Sequence, residues 1–249
     1  MNITWDADKY ASDFSFVGRY GRDLFGLIKG GKTVLDLGCG NGVLTAALRE
    51  AGYDAFGMEP SAEQLDIARR QYPEIKFVQG DATDFELEEP VDVVFANAVF
   101  HWIDRERQPD MMRCVFCALN PGGQLIFEMG GAGNNVLIHG ALNEEFTSRG
   151  LVYKMPFYFP GIAEYSGLLE AAGFRVVFAH LFDRPTELKG PDGLKDWMKM
   201  FVRNPFIGID EATHESILDA TVERLRSSLY VGGKWYSDYV RLRMKALRP

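Results

Sequence analysis

A strand, a glycine-rich turn and a helix follow one another over 33–52, and this unit narrows the fold more than any other stretch. Thr33–Leu37 reads TVLDL, short and apolar with β-branched Thr33 and Val34, the pattern of a strand buried on both faces. Asp36-x-Gly38-x-Gly40-x-Gly42 comes next. Glycines at alternate positions let the backbone turn sharply and pass close to a ligand, because no Cβ stands in the way. VLTAALREAG then places Val43, Leu44, Ala47 and Leu48 on one helical face and stops at Gly52, a residue suited to the helix C-terminus. Such a unit opens a nucleotide-binding α/β sheet.

The spacing of the glycines separates ligand classes. A dinucleotide turn has its last glycine three residues past the second; here that position is Val43, and glycine falls at Gly42 instead. A phosphate-cradling loop ends in Gly-Lys-Ser/Thr, and no lysine follows. Twenty residues on, Tyr53–Met58 reads as a second strand ending at Glu59. An acid at that strand tip is placed to accept from a ribose diol, since a carboxylate offers only acceptors. Pro60 and Ser61 open the next helix, with Gln64 completing a capping-box pattern.

Further along, Lys76–Val78 is a short strand before Gly80-Asp81-Ala82. Val91–Ala96 is a continuous apolar strand and predicts the centre of the sheet. It runs out into Asn97-Ala98-Val99-Phe100-His101-Trp102, on the side where open parallel sheets carry their ligands. Helices are expected over Asp8–Lys29, Asp104–Leu119, Val136–Arg149, Glu164–Gly173, Leu194–Phe201 and Asp210–Leu229. Strands are expected over Gln124–Met129, Phe174–Phe182 and Tyr236–Leu247. Gly130–Asn135 reads as a flexible loop, and Arg184–Gly193, with two prolines, as a linker. Cys114 and Cys117 lie deep in a helix with no further ligand near in sequence, so they read as two buried thiols and no metal site is expected.

Composition bounds the partners. The chain has 249 residues, 47% of them hydrophobic, enough for one large α/β domain over 1–249. A formal charge of −8 disfavours non-specific contact with nucleic acid or an anionic membrane. Three cysteines, no membrane-length apolar run and a polar, acidic start predict a cytoplasmic protein in a reducing compartment.

An acid in the first strand followed by G-x-G-x-G resembles the first motif of class I S-adenosylmethionine (SAM)-dependent methyltransferases, and Gly80-Asp81-Ala82 and Pro121-Gly122-Gly123 resemble later ones. ANAVFHW, the Trp5–Tyr10 entry and an insertion before the last strand are similar to the trans-aconitate methyltransferase group. The resemblance implies a doubly wound, mostly parallel seven-stranded sheet (Rossmann-like methyltransferase fold) with a helical cap insertion over 186–233. It implies SAM as cofactor, S-adenosylhomocysteine as product, and a small-molecule acceptor methylated on oxygen, carboxylate or hydroxyl. A non-catalytic SAM- or nucleoside-binding module is the alternative.

The same resemblance nominates site residues. Asp36, Gly38, Cys39, Gly40, Gly42, Glu59, Pro60 and Gln64 belong to the cofactor turn and the strand tip. Asp81 and Ala82 lie at adenine, with a turn cap as the other use for Asp81. Asn97, Ala98 and Trp102, with Tyr10, Phe16 and Tyr20, lie near the methionine end. His101 is the candidate base should the acceptor be a hydroxyl or amine. Tyr153, Tyr158, Trp197, Lys199 and Arg203 are acceptor-pocket candidates, the two cations for an anionic acceptor.

Overall fold

A computed structural model of the protein describes residues 20–249. Strands β1 (Thr33–Leu37), β2 (Asp54–Glu59), β3 (Phe77–Gln79), β4 (Val91–Asn97) and β5 (Leu119–Gly130) pair in parallel. β6 (Arg175–Leu188) and β8 (Lys234–Leu247) complete the sheet in the order β3-β2-β1-β4-β5-β8-β6, with β8 antiparallel to both neighbours. The two-residue β7 (Tyr230–Val231) adds a short turn-back onto β8. The predicted doubly wound sheet of seven strands is present, with β7 as an addition.

Alternation along the strands decides which helix covers which face. Val34, Val93, Phe95 and Ile126 meet Leu24 and Ile28 of the N-terminal segment and Leu44 and Leu48 of α1 (Val43–Glu50). Leu35, Val94, Leu125 and Phe127 point the other way, onto Met111 and Val115 of α3 (Gln108–Ala118) and Tyr165 and Leu169 of α5 (Ile162–Ala171). Between them in the chain lie α2 (Ala62–Gln71) and α4 (Val136–Ser148). No helix among the described residues is long and apolar enough to cross a membrane.

Several boundaries differ from the sequence expectation. The described part of the N-terminal segment includes a 3-10 helix, Arg22–Leu27, where glycines 21 and 26 disfavour a regular helix. Helix α3 starts at Gln108, where Pro109 sits in its first turn. The expected linker over 184–193 is strand as far as Leu188. β6 is an edge strand, so Pro185 removes no N–H that a neighbour needs. The stretch 186–188 is therefore sheet, and the helical part between β6 and β8 begins after it, with α6 (Gly193–Phe201) and α7 (Glu211–Leu229). Cys114 is half-buried and Cys117 exposed, because Met111, Met112 and Val115 occupy the inner face of α3.

Two features of this frame position the site. β8 pairs with β5 only from Leu247 to Arg241, while its pairing with β6 continues to Trp235. The β6–β8 ribbon thus overhangs the end of β5, and α4, α6 and α7 pack on its Trp235 and Tyr239. The segment after β4 is held from below by Gln108, which is wholly buried. Its Nε2 donates to Phe100 O and Ile103 O, each at 2.8 Å, and its Oε1 accepts from the Tyr165 hydroxyl at 2.8 Å. Tyr165→Phe leaves that oxygen buried without its donor and is expected to cost about 1–3 kcal/mol. Urea unfolding midpoints check this, and a wild-type midpoint would refute the tie.

Candidate active site

The turn after β1 is closed onto the end of β2. The N–H groups of Gly38 and Cys39 both donate to Met58 O, at 2.7 and 3.0 Å. Gly38 has φ +76°, and a Cβ there would lie 2.4 Å from the Val99 side chain; Gly42 has φ +82°, and its Cβ would lie 2.7 Å from the Phe77 ring. Left-handed backbone and contact distance both exclude a side chain at these positions.

Glu59, the last residue of β2, braces this turn. Its Oε2 accepts from Gly40 N and its Oε1 from Ser61 N, each at 3.1 Å. Burial raises its carboxyl, against the pull of those two bonds. Ser61 Oγ caps α2 by accepting from Gln64 N at 3.3 Å. The reciprocal half of a capping box is not made, because Ser61 N is taken by Glu59. Gln64 Oε1 is left buried with no hydrogen-bond partner. Asp36 lies beneath the turn, 1% exposed, accepting from Thr45 Oγ1 at 2.7 Å. Burial pushes its carboxyl up to about 7, the Thr45 bond opposes, and the nearby Glu59 charge adds to the rise.

Gly38, Gly40, Glu59 and Gln64 open into a cleft of about 820 Å³, space at its mouth included. Asn97, Ala98 and Val99 continue its wall from the tip of β4, followed by His101 and Trp102. The far side is Phe157 and Phe159, Trp197 and Phe201 of α6, and Tyr239 and Arg241 of β8. Asn134 and Asn135 complete it.

Arg241 is 7% exposed and lies with its guanidinium carbon 4.4 Å from the Tyr239 ring centre. Burial, and after it the charge of Arg241, hold the His101 imidazole well below its usual range, so the ring is neutral. His101 Nδ1 accepts from Gly130 N at 3.3 Å, which assigns the ring proton to Nε2. Among the described residues two non-glycines have positive φ, Ala98 at 61° and Asn135 at 52°, and both line this cleft. Asparagine tolerates this conformation; for alanine it costs about 1–2 kcal/mol. Strain of this kind gathers at working sites.

A methyltransferase-domain family model matches residues 34–123. An uncharacterised methyltransferase of Schizosaccharomyces pombe is 30% identical over 97% of each chain. The chain belongs to the SAM-dependent methyltransferase family. A trans-aconitate 2-methyltransferase of Rhizobium etli is 27% identical over 91% of each chain. The solved structure of a putative methyltransferase from Bacillus halodurans has the same fold, with TM-score 0.64 and 18% identity, covering 92% of this chain and 98% of its own. The cofactor of this methyltransferase is SAM. The cleft suits it: Gln64 Oε1 is an orphaned acceptor, and Glu59 keeps lone pairs beyond its two backbone bonds.

Of the nominated residues, the methyltransferase brings Gly38, Gly40, Glu59, Gln64, Asn97, Ala98, His101, Trp102 and Trp197 together in one wall. Others fall outside it. Asp36 and Gly42 lie under the turn. Cys39 turns its sulfur onto the position where Gly57 lacks a side chain, and burial pushes its thiol up. Pro60 presents its carbonyl to Gln79 Nε2. Asp81 accepts from Thr83 N and Oγ1 at 2.8 and 2.7 Å, which is the turn-cap use, and Ala82 is buried in the core. Tyr20 lies over the Arg184 guanidinium, 4.4 Å from ring centre to Cζ, and packs against the cluster that includes Trp197, Phe201 and Tyr239 of the wall. Tyr10 and Phe16, with the Trp5–Tyr10 entry, lie outside the described residues.

The acceptor-pocket candidates need more correction. Tyr153 stands behind the wall with its hydroxyl 2.7 Å from His139 Nδ1. Tyr158 points the opposite way from Phe157 and Phe159, to Glu164. Lys199 pairs with Glu215 on α7 at 2.6 Å, because the helical period of α6 turns Trp197 and Phe201 inward and Lys199 outward. Arg203 follows α6 on the exposed surface. The expected flexible loop over 130–135 is tied down: Asn134 Oδ1 accepts from Val240 N at 2.9 Å and Asn135 Oδ1 from Ser237 Oγ at 2.6 Å.

Sequence reasoning missed Asn134, Asn135, Phe157, Phe159, Phe201, Tyr239 and Arg241. The signal for Arg241 was its alternation with Tyr239 on a strand that both faces of the sheet cover. The aromatics at 157 and 159 alternate in the same way.

Two variants probe the cofactor end. Glu59→Ala is expected to weaken SAM at least about tenfold in calorimetry with the fold intact. Asp36 carries a folded-state value above 3.8, so the native protein binds the extra proton and loses stability as pH rises from about 4 to 7. Asp36→Asn removes that dependence. Its stability relative to wild type should rise by about 3 kcal/mol between pH 5 and pH 8. An unchanged difference in denaturant unfolding would mean that Asp36 is ionised throughout.

Proposed function

We propose that this methyltransferase acts on a carboxylate oxygen of a small acid and makes a methyl ester. The observation that carries the reading is the buried Arg241 guanidinium in the wall of the cleft. Its planar fork of donors matches a carboxylate in two parallel hydrogen bonds, and a charge-assisted pair is about twice as strong as a neutral one. Relatives named for trans-aconitate, a carboxylic acid, support the same class.

Bound SAM supplies an electrophilic methyl on a sulfonium cation. Glu59 and Gln64 would accept from its sugar hydroxyls, the backbone of Gly38 and Gly40 would lie along it, and Asn97, Ala98 and Trp102 would meet its amino-acid end. Arg241 fixes the acceptor carboxylate. His101, neutral and protonated on Nε2, donates to that carboxylate and is not a base, because its Nδ1 lone pair is engaged by Gly130 N. None is needed, since a carboxylic acid is already ionised at neutral pH. The aromatic side chains keep water out, which favours transfer between opposite charges. Alignment of this kind contributes up to about 7–11 kcal/mol.

The test is release of S-adenosylhomocysteine with a panel of acids, alcohols and amines, and a base-labile ester by mass spectrometry. Arg241→Met is expected to lower kcat/KM for an acid by about 100-fold or more while SAM affinity stays within about twofold. His101→Gln keeps an N–H donor near Nε2 and should retain more activity than His101→Leu. Equal loss in both, with a rate that rises with pH, would point to base catalysis on a hydroxyl and sink the reading.

A further inference from the structure

We infer that the acceptor carries, besides the oxygen that is methylated, a carbonyl oxygen that takes a hydrogen bond from Nε2 of His139. The inference rests on the acceptor's place in the cleft as proposed above, and not on which of its oxygens is methylated. His139 lies one turn into α4 from Asn135 of the wall, and its backbone N–H donates to Asn135 O at 2.9 Å. It is 3% exposed, and three rings of the wall close over it: Phe157, Phe159 and Trp197, at 5.5, 6.0 and 6.3 Å between ring centres. Burial lowers the imidazole to about 4, so the ring is neutral at physiological pH. Its Nε2 is buried with no hydrogen-bond partner.

The other ring nitrogen decides what Nε2 can offer. Nδ1 stands 2.7 Å from the Tyr153 hydroxyl. Burial raises that phenol, so it keeps its proton, and Nδ1 is the acceptor for it. The imidazole proton is thereby assigned to Nε2, which becomes a donor. The two nitrogens of an imidazole point in divergent directions. Tyr153 lies edge-on to Phe146, and neither residue takes part in the wall, so Nε2 faces the other way, toward the three rings that do. A buried donor left unpaired costs free energy that an apolar side chain here would not. A neutral N–H among rings suits a neutral carbonyl oxygen, which gives up less hydration than a carboxylate. Phe157 and Phe159 stack at 5.3 Å on a stretch with neither helix nor strand, and its backbone is pinned between them, where Tyr158 N donates to His101 O at 3.0 Å. Rotation of either ring, with the backbone in place, opens Nε2 to the cleft.

Three measurements on the whole chain test this. In proton–nitrogen correlation spectra His139 is expected to carry its ring proton on Nε2, and a proton on Nδ1 overturns the inference. Protein saturated with S-adenosylhomocysteine is then titrated by calorimetry with matched pairs: levulinate against valerate, benzoylpropionate against phenylbutyrate, and hydroxyacetone against n-propanol. At least one carbonyl compound is expected to bind about tenfold or more tightly than its partner, and His139→Phe to abolish that preference. No preference in any pair, or a preference that survives His139→Phe, overturns the inference; a methyl ester formed without one would leave the carboxylate reading standing. Methylation of hydroxyacetone with no acid accepted, the preference intact, would instead overturn the proposed function and leave this inference in place. The double variant His139→Phe with Tyr153→Phe removes both partners of the bond, so its urea midpoint is expected at or above that of wild type. A lower midpoint would mean that the pair serves stability, and would overturn the inference.

Discussion

The antiparallel insertion of β8 between β5 and β6 is the constraint from which the rest of the site follows. Had the last strand stopped level with β5, the cleft would end at the tips of β1, β2 and β4. Because β8 continues with β6 for a further six residues, Trp235–Val240, the sheet acquires an overhanging ribbon. That ribbon carries Tyr239 inward, gives α6 and α7 a surface to pack on, and holds Asn134 and Asn135 through Val240 and Ser237. The indole N–H of Trp197 donates to the Tyr239 hydroxyl at 2.6 Å, so the helical layer and the ribbon are joined directly beside the cleft. The far side of the cleft is thus anchored on the ribbon, although its residues come from five separate stretches of chain.

The titratable groups of the cleft are unevenly placed along its length. Two buried acids, Asp36 and Glu59, lie at the end made by the glycine turn, and one buried cation, Arg241, lies at the other. Burial raises both carboxyls, so their charge answers to what binds beside them, while the chain as a whole carries a net charge of −8. The overall charge therefore says little about what the pocket accepts. Local field, set by a few residues held out of water, outweighs the distant surface charges that solvent screens.

The glycine turn and its brace were legible in the sequence because their requirements are local. Gly38, Gly40 and Gly42, the strand before them and Glu59 at the next strand tip are fixed by backbone geometry over some thirty residues, and each stands where the spacing put it. The far side of the cleft was not legible, because its residues meet only through tertiary packing. Lys199 was read as a pocket cation from its charge; the periodicity of α6 sends it to Glu215, while Trp197 on the same helix does face inward. Arg241 alternates with Tyr239 along β8, and only the tertiary packing over that strand buries it. Pro185 misled in the opposite way: proline in an apolar stretch reads as a break, yet an edge strand has no partner on its outer side to miss the N–H.

Cys39 sits in the middle of the glycine turn with its sulfur shielded, whereas Cys117 stands in the open on α3. An alkylating reagent reaches the first only when the turn lifts away from β2, and the second at all times. The ratio of the two labelling rates is therefore a built-in clock for breathing of the glycine turn, readable without any knowledge of what the enzyme methylates.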